Sequence, residues 1–400
     1  MDTPLDSACT FSERALQLTS SAIREILKVT ERPDITSFAG GLPAPDGFPA
    51  EVVRQAFDRV LTEQPRTALQ YGPTEGYAPL RAWVADDLNR NGARVTPDDI
   101  LIVSGSQQAL DLLGKVLIDK ESKVLVETPS YLGALQSFSL YQPRYASVAT
   151  DDGGLVPEAI TPAMADGARF LYALPNFQNP TGRTLSLARR IALVKRAAEL
   201  NLTIIEDDPY GELRYAGEPQ PGLIALASEY GANVVRLGTF SKVLAPGLRL
   251  GYIAAARPLI NKLVQAKQAT DLHTPTLTQM AVYEIVKDGF LEEHLPNVRE
   301  IYRAQGSCML EAIQREFPAT VTWTKPEGGM FIWLTLPEHI DSTKLLEKAI
   351  AQNVAFVPGA PFYSGAGRAN TLRLSFATVP EDKIRTGIAI LGKLLKEYTA

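Results

Sequence analysis

Between residues 95 and 260, short apolar runs alternate with longer stretches of helical period. Ile100–Ser104, Lys123–Glu127, Tyr145–Ala149, Arg169–Leu174, Leu202–Glu206, Val234–Gly238 and Gly251–Ala255 are mostly continuous apolar runs rather than alternating ones. That pattern reads as strands buried on both faces. Helical stretches follow several of them: one opens at Gly105 and runs to about Ile118, one starts after Thr128-Pro129, and one lies near 186–200. The alternation predicts an open, mainly parallel sheet with helices on both faces. Upstream, residues 12–30, 50–62 and 79–89 read as helices, the first with Ile23, Ile26 and Leu27 on one face.

Past residue 258 the rhythm changes. Residues 258–270, 276–288 and 291–316 read as helices, and Val321–Thr324 and Phe331–Leu336 as strands. A helix near 342–352, a short run Val354–Val357, a strand Thr371–Ser375 and a helix from 381 to 397 complete a small α+β unit. The expected organisation is α/β in three parts. Residues 1–45 form an N-terminal segment reaching the small domain and the site, 46–290 a large doubly wound domain, and 291–400 a small C-terminal domain.

Open parallel sheets bind ligands at the C-terminal ends of their strands. The polar clusters of this chain fall at such ends. Gly105-Ser106-Gln107 joins a strand to a helix, where free N–H groups and the helix dipole can face an anion. Tyr131 lies just past another strand, where an aromatic can stack on a planar ring. Pro175–Gly182 is a polar loop containing Asn179. Asp207 and Asp208 end a strongly apolar strand; alternation points them to opposite faces, so only one can face a ligand.

Residues 238–252 concentrate the chemistry. Thr239, Ser241, Lys242 and Arg249 lie within eleven residues. Two hydroxyls and a guanidinium are phosphate ligands, and the lysine between them is either a further phosphate ligand or a nucleophile toward carbonyls. A phosphate cup around a Schiff-base lysine suits pyridoxal 5′-phosphate. That cofactor also needs an anion beside its ring nitrogen, and either aspartate can supply one.

Composition narrows the alternatives. The 400 residues are 45% apolar and 21% charged with a net charge of −5, ordinary for a soluble protein and without a basic block for nucleic acid. Cys9 and Cys308 cannot make a disulfide framework or a metal site, and the histidines are scattered, so no metal is expected. No signal peptide and no membrane-spanning run is visible, which leads to a cytoplasmic expectation.

The stretch Ser241-Lys242 through Pro246, Gly247, Arg249 and Gly251 resembles the cofactor-lysine signature of fold-type I pyridoxal-phosphate enzymes. With Asn179-Pro-Thr-Gly182, Asp207-Asp-Pro-Tyr210 and Asn370-Thr-Leu-Arg373 in the same order, nearly the whole chain is similar to class I aminotransferases. The nearest subgroup acts on 2-aminoadipate, kynurenine and aromatic amino acids. The resemblance implies the fold-type I architecture and transfer of an amino group from an L-amino acid to a 2-oxo acid, such as 2-oxoglutarate, through a Lys242 Schiff base. It favours Asp207 over Asp208 as the partner of the ring nitrogen. It implies Asn179 and Tyr210 as donors to the ring oxygen, Tyr131 as the stacking aromatic, and Ser106, Gln107, Thr239, Ser241 and Arg249 as phosphate ligands. Thr239 stands where serine is more usual but keeps the hydroxyl. Arg373 would grip the substrate carboxylate, with Asn179 beside it. Arg24, Gly41 and Leu42 would shape the side-chain pocket. Tyr71 would reach the phosphate across a homodimer boundary. Lyases and synthases on the same scaffold are the alternative. A regulator fused to a DNA-binding domain is a lesser one, because the fold is expected to begin near residue 12.

Overall fold

The computed structural model describes residues 10–16, 18, 26, 32 and 34–399. Its central sheet has seven strands: β1 (Ile100–Val103), β2 (Lys123–Glu127), β3 (Arg144–Val148), β4 (Ala168–Ala173), β5 (Ile204–Asp207), β6 (Val234–Thr239) and β7 (Gly251–Ala254). Their spatial order is β1-β7-β6-β5-β4-β2-β3. The pairs from β6 through β5, β4 and β2 to β3 are all parallel. Successive side chains in each strand enter opposite layers of helices. Ile102, Leu125, Leu171 and Ile204 pack into one core. Leu101, Val126, Tyr172 and Ile205 pack into the other. Both faces are therefore apolar, which explains the continuous runs in the sequence.

β7 is the exception, antiparallel to both its neighbours. Its connection from β6, residues 240–250, holds only a short 3-10 turn, Pro246–Leu248. A parallel crossover needs about a dozen residues or more and usually a helix, so this strand can only return. The loop that forces the reversal is the one carrying Lys242.

The second sheet contains β8 (Thr322–Trp323), β9 (Phe331–Thr335), β10 (Val357–Pro358) and β11 (Thr371–Ser375) in the order β8-β9-β11-β10, all antiparallel. The helices Phe290–Glu316 and Glu381–Thr399 cover it. Met309, Ile313, Ile332, Leu374, Ile384 and Ile388 share its core. The run Val354–Val357, expected as one segment, divides between two partners. Val354–Ala355 pairs in parallel with Thr36–Ser37, and Val357–Pro358 pairs with β11. The first pairing carries Ala39–Leu42 toward the large sheet. A hairpin of Thr150–Asp151 with Gly154–Leu155 has no counterpart in the sequence reading. Of the helix expected over 12–30, Glu13–Leu16 and Ile26 are helical, Ser12 and Leu18 are not, and the other positions, Arg24 included, lie outside the described residues.

Candidate active site

The C-terminal ends of β1, β2, β4, β5 and β6 open on one side of the sheet, and β11 faces them from the second sheet. Asp207 closes β5, and only 2% of it is exposed. Its Oδ2 accepts a hydrogen bond of 2.6 Å from the Tyr172 hydroxyl, while its Oδ1 is buried without a partner among the described residues. Burial pushes the carboxyl up to about 6, against the pull of the Tyr172 hydrogen bond. Asp208 is differently engaged. It pairs with Arg236 at 2.8 Å and accepts from Asn176 Nδ2 at 2.7 Å and from the Gly211 N–H at 2.8 Å. Of the two acids, Asp207 has an oxygen free for a ligand.

Lys242 lies in the loop after β6. Its Nζ donates to the Gly41 carbonyl at 2.9 Å and stands 5.9 Å from the centre of the Tyr210 ring. Burial, and then the charges of Arg373 and Arg249, hold the amine down to about 8, well below an ordinary lysine. Tyr210 is buried, and its hydroxyl accepts from Asn179 Nδ2 at 3.4 Å. Asn179 turns its Oδ1 to Arg373 Nη1 at 2.8 Å.

Arg373 sits in the middle of β11, between Trp333 and Val357 of the flanking strands. Its Nη2 donates to the Ala39 carbonyl at 2.7 Å, and its Nε is buried without a partner among the described residues. The guanidinium carbon lies 4.3 Å from the Phe331 ring centre and 5.2 Å from that of Phe362. Planar cations pack well on aromatic faces, so the two rings hold the fork in place. Burial lowers its pKa to about 10, which leaves it charged at neutral pH. Among the described residues no carboxylate pairs with it.

The turn after β1 and the loop after β6 are rich in anion donors. The helix Ser106–Leu117 begins after Gly105, and the Ser106 Oγ is buried and unpartnered among the described residues. Gly105 has φ +84°, and a Cβ there would stand 2.6 Å from Arg249 Nη2. The left-handed φ is what favours glycine there, since the Arg249 tip could move aside. Arg249 is exposed and donates to the Ser104 and Pro246 carbonyls, each at 3.2 Å, with no acidic partner among the described residues. Thr239 Oγ1 donates to Ser241 Oγ at 2.9 Å and accepts from the Ser241 N–H at 3.1 Å. Gln107 is exposed and donates to the Gly133 carbonyl at 3.2 Å. Tyr131 precedes the helix Leu132–Ser139, and burial followed by the charge of Asp207 raises its phenol. Gly41 borders Phe331, whose ring a Cβ on Gly41 would meet at 3.5 Å. Leu42 is 58% exposed. Tyr71 stands apart, 79% exposed, its ring edge-on to His273 at 5.8 Å.

The arrangement can take an anion at the helix end, a basic ring nitrogen at Asp207 Oδ1 and a carboxylate at Arg373, with a depressed amine between them. Sequence reasoning missed Tyr172. The available signal was a hydroxyl within an apolar strand, which must find a buried partner. It also missed Phe331 and Phe362, because their contact with Arg373 joins distant segments.

Residues 35–391 match the aminotransferase class I and II family, and the chain belongs to it. It is 48% identical over 399 residues to a 2-aminoadipate transaminase of Thermus thermophilus, an alignment covering 99% of each chain. It is 45% identical to aromatic-amino-acid aminotransferase 1 of Thermococcus litoralis, over 98% of this chain and 95% of that one. Among solved structures, the α-aminoadipate aminotransferase LysN of Thermus thermophilus, complexed with N-(5′-phosphopyridoxyl)-L-leucine, superposes with a TM-score of 0.90. That match is 46% identical and covers 97% of this chain and 98% of the other. The chain is an enzyme of the aminotransferase type, and its fold is that of the fold-type I aminotransferases.

Proposed function

We propose that this aminotransferase moves the amino group of an aromatic or 2-aminoadipate-type L-amino acid to a 2-oxo acid, with pyridoxal 5′-phosphate held on Lys242. The carrying observation is a pair of unused buried groups, Asp207 Oδ1 and Arg373 Nε, in one site with a depressed lysine amine. Unpartnered polar atoms in a buried site mark places where a ligand completes the hydrogen bonding. The names of the relatives support the donor class.

The residues fit the cofactor group by group. Ser106, Gln107, Thr239, Ser241 and Arg249 would hold the phosphate, with the Gly105 turn giving it room. Tyr131 would stack on the ring, Asn179 and Tyr210 would bind its oxygen, and Asp207 its nitrogen. When bound, pyridoxal phosphate supplies an electron-accepting ring that lets the Cα–H bond of an amino acid ionise. Arg373 fixes the substrate α-carboxylate with two parallel N–H donors, which orients Cα. Asn179 braces one arm of that fork. Lys242 Nζ, neutral above about pH 8 before any ligand binds, is the base that takes and returns the α-proton. Gly41 and Leu42 border the substrate side chain, and Arg24 joins them in this reading.

Tyr71 would complete the phosphate site of a partner subunit in a homodimer. Its exposure, and that of Leu69 at 71%, supports a covered surface. The proposed division at residues 46 and 290 separates the two sheets. A cytoplasmic location belongs to the same reading, from a cysteine content too low for a disulfide framework. Among the described residues no helix is long and apolar enough to cross a membrane, and no cluster could hold a metal ion.

The test is a stoichiometry. Purified protein with pyridoxal phosphate, 2-oxoglutarate and a panel of L-amino acids should form one oxo acid for each consumed, fastest with aromatic donors or 2-aminoadipate. Ammonia and pyruvate released without an acceptor would replace this reading with a lyase.

A further inference from the structure

We propose that Tyr172 is a positioning residue that keeps Asp207 ionised and leaves only its Oδ1 free to meet the cofactor's ring nitrogen. The inference rests on the reading of the site given above. Tyr172 lies in β4 opposite Ile205 of β5. Its side chain is fully buried, and its ring meets Phe138 edge-on at 5.7 Å. Packing therefore fixes the hydroxyl, which donates to Asp207 Oδ2 at 2.6 Å.

The titratable and charged groups facing Asp207 are Tyr131, Tyr172, Tyr210, Asp208 and Arg236. Asp208 is of like charge and opposes ionisation. Arg236, the cation of the group, donates to Glu206 at 2.7 Å and to Asp208 at 2.8 Å. Among the described residues Asp207 thus has no cation of its own, and burial favours its neutral form. The Tyr172 hydroxyl is its hydrogen-bond donor among the described residues.

Two consequences follow for a proton shared between Asp207 and a ring nitrogen. A donor on Oδ2 makes the carboxylate less basic, so the proton stays on nitrogen, where the electron-accepting ring needs it. The occupied Oδ2 also leaves Oδ1 as the single acceptor, so the ring has one orientation rather than two.

Tyr172→Phe removes the hydroxyl and keeps the ring. In cofactor-free protein labelled with carboxyl-13C aspartate, and with the signal assigned through Asp207→Asn, the Asp207 midpoint should rise by about one to two pH units. With pyridoxal phosphate labelled with 15N in the ring, the nitrogen signal should move toward its unprotonated position. The kcat should fall about tenfold or more with KM little changed. Fluorotyrosine at position 172 is a stronger donor and should lower the midpoint instead, which keeps the test decisive if the phenylalanine variant folds poorly. An unchanged Asp207 midpoint in both proteins overturns the proposal whether or not the cofactor binds. A shifted midpoint with an unmoved ring-nitrogen signal also overturns it. A shifted midpoint in a protein that takes up no pyridoxal phosphate would leave the hold of Tyr172 on Asp207 standing and refute the reading of the site.

Discussion

Replacing Arg373 by lysine keeps the charge and removes the fork. In the native site Nη1 and Nη2 are tied to Asn179 and Ala39, and the guanidinium lies between Phe331 and Phe362. A lysine ammonium is a point donor on a flexible stem and cannot place two parallel N–H groups on a carboxylate. Loss of one charge-assisted hydrogen bond costs about 1.5–3 kcal/mol. That corresponds to a fall of about 10- to 150-fold in kcat/KM. The Ala39 carbonyl also loses its donor, which should lower stability by about 1–3 kcal/mol. The assay is kcat/KM for aromatic, acidic and aliphatic L-amino acids, with urea unfolding run in parallel to separate the stability effect. Every donor carries the same α-carboxylate, so the loss should be similar across the panel. A loss confined to acidic side chains would mean that Arg373 reads the side chain, and an unchanged kcat/KM would refute its role altogether.

Asp207→Ala should retain some cofactor but lose most turnover; near-normal turnover would contradict the assignment and return attention to Asp208. Glu127, 3% exposed and bonded by the Leu174 N–H at 2.9 Å, has its carboxyl raised by burial to about 8. The folded state therefore binds an extra proton between the ordinary glutamate value and about 8, and stability from this group is lost as pH rises through that window. Glu127→Gln, neutral throughout, should flatten the decline in urea midpoint between about pH 5 and about pH 8, and an equal decline in both proteins would contradict this. Coexpression of Lys242→Ala chains with chains carrying a damaging Tyr71 substitution should give a hybrid dimer with one intact site and recovered activity; a hybrid as impaired as its parents would place Tyr71 within its own chain.

Much of the large sheet was legible because its strands are buried on both faces, and continuous apolar runs such as Ile100–Val103 and Ile204–Asp207 carry that fact directly. Strand direction is not written in such a run. Gly251–Ala254 looks like its neighbours, and its reversal depends on the length of the loop before it. The division of Val354–Val357 was hidden for a related reason: its two halves pair with segments far away in the chain. At the site, motif spacing singled out Asn179, Asp207, Tyr210, Lys242 and Arg373, which the fold brings close together. Motif spacing could not show which polar atoms there are already satisfied. Asp208 is held by Arg236 and Asn176, whereas Asp207 keeps one oxygen free because Tyr172 takes only the other. Those facts arise from tertiary packing of β4 against β5.

Lys242 is the residue proposed to hold the cofactor. Its amine, depressed to about 8 and seated against the Gly41 carbonyl, is the proposed nucleophile toward the cofactor aldehyde. The direct measurement is reduction of the pyridoxal-phosphate-loaded enzyme with borohydride, followed by digestion and mass spectrometry of the peptides. The phosphopyridoxyl label should be found on Lys242 at one per chain. A label on any other lysine, or none, would contradict the assignment of Lys242.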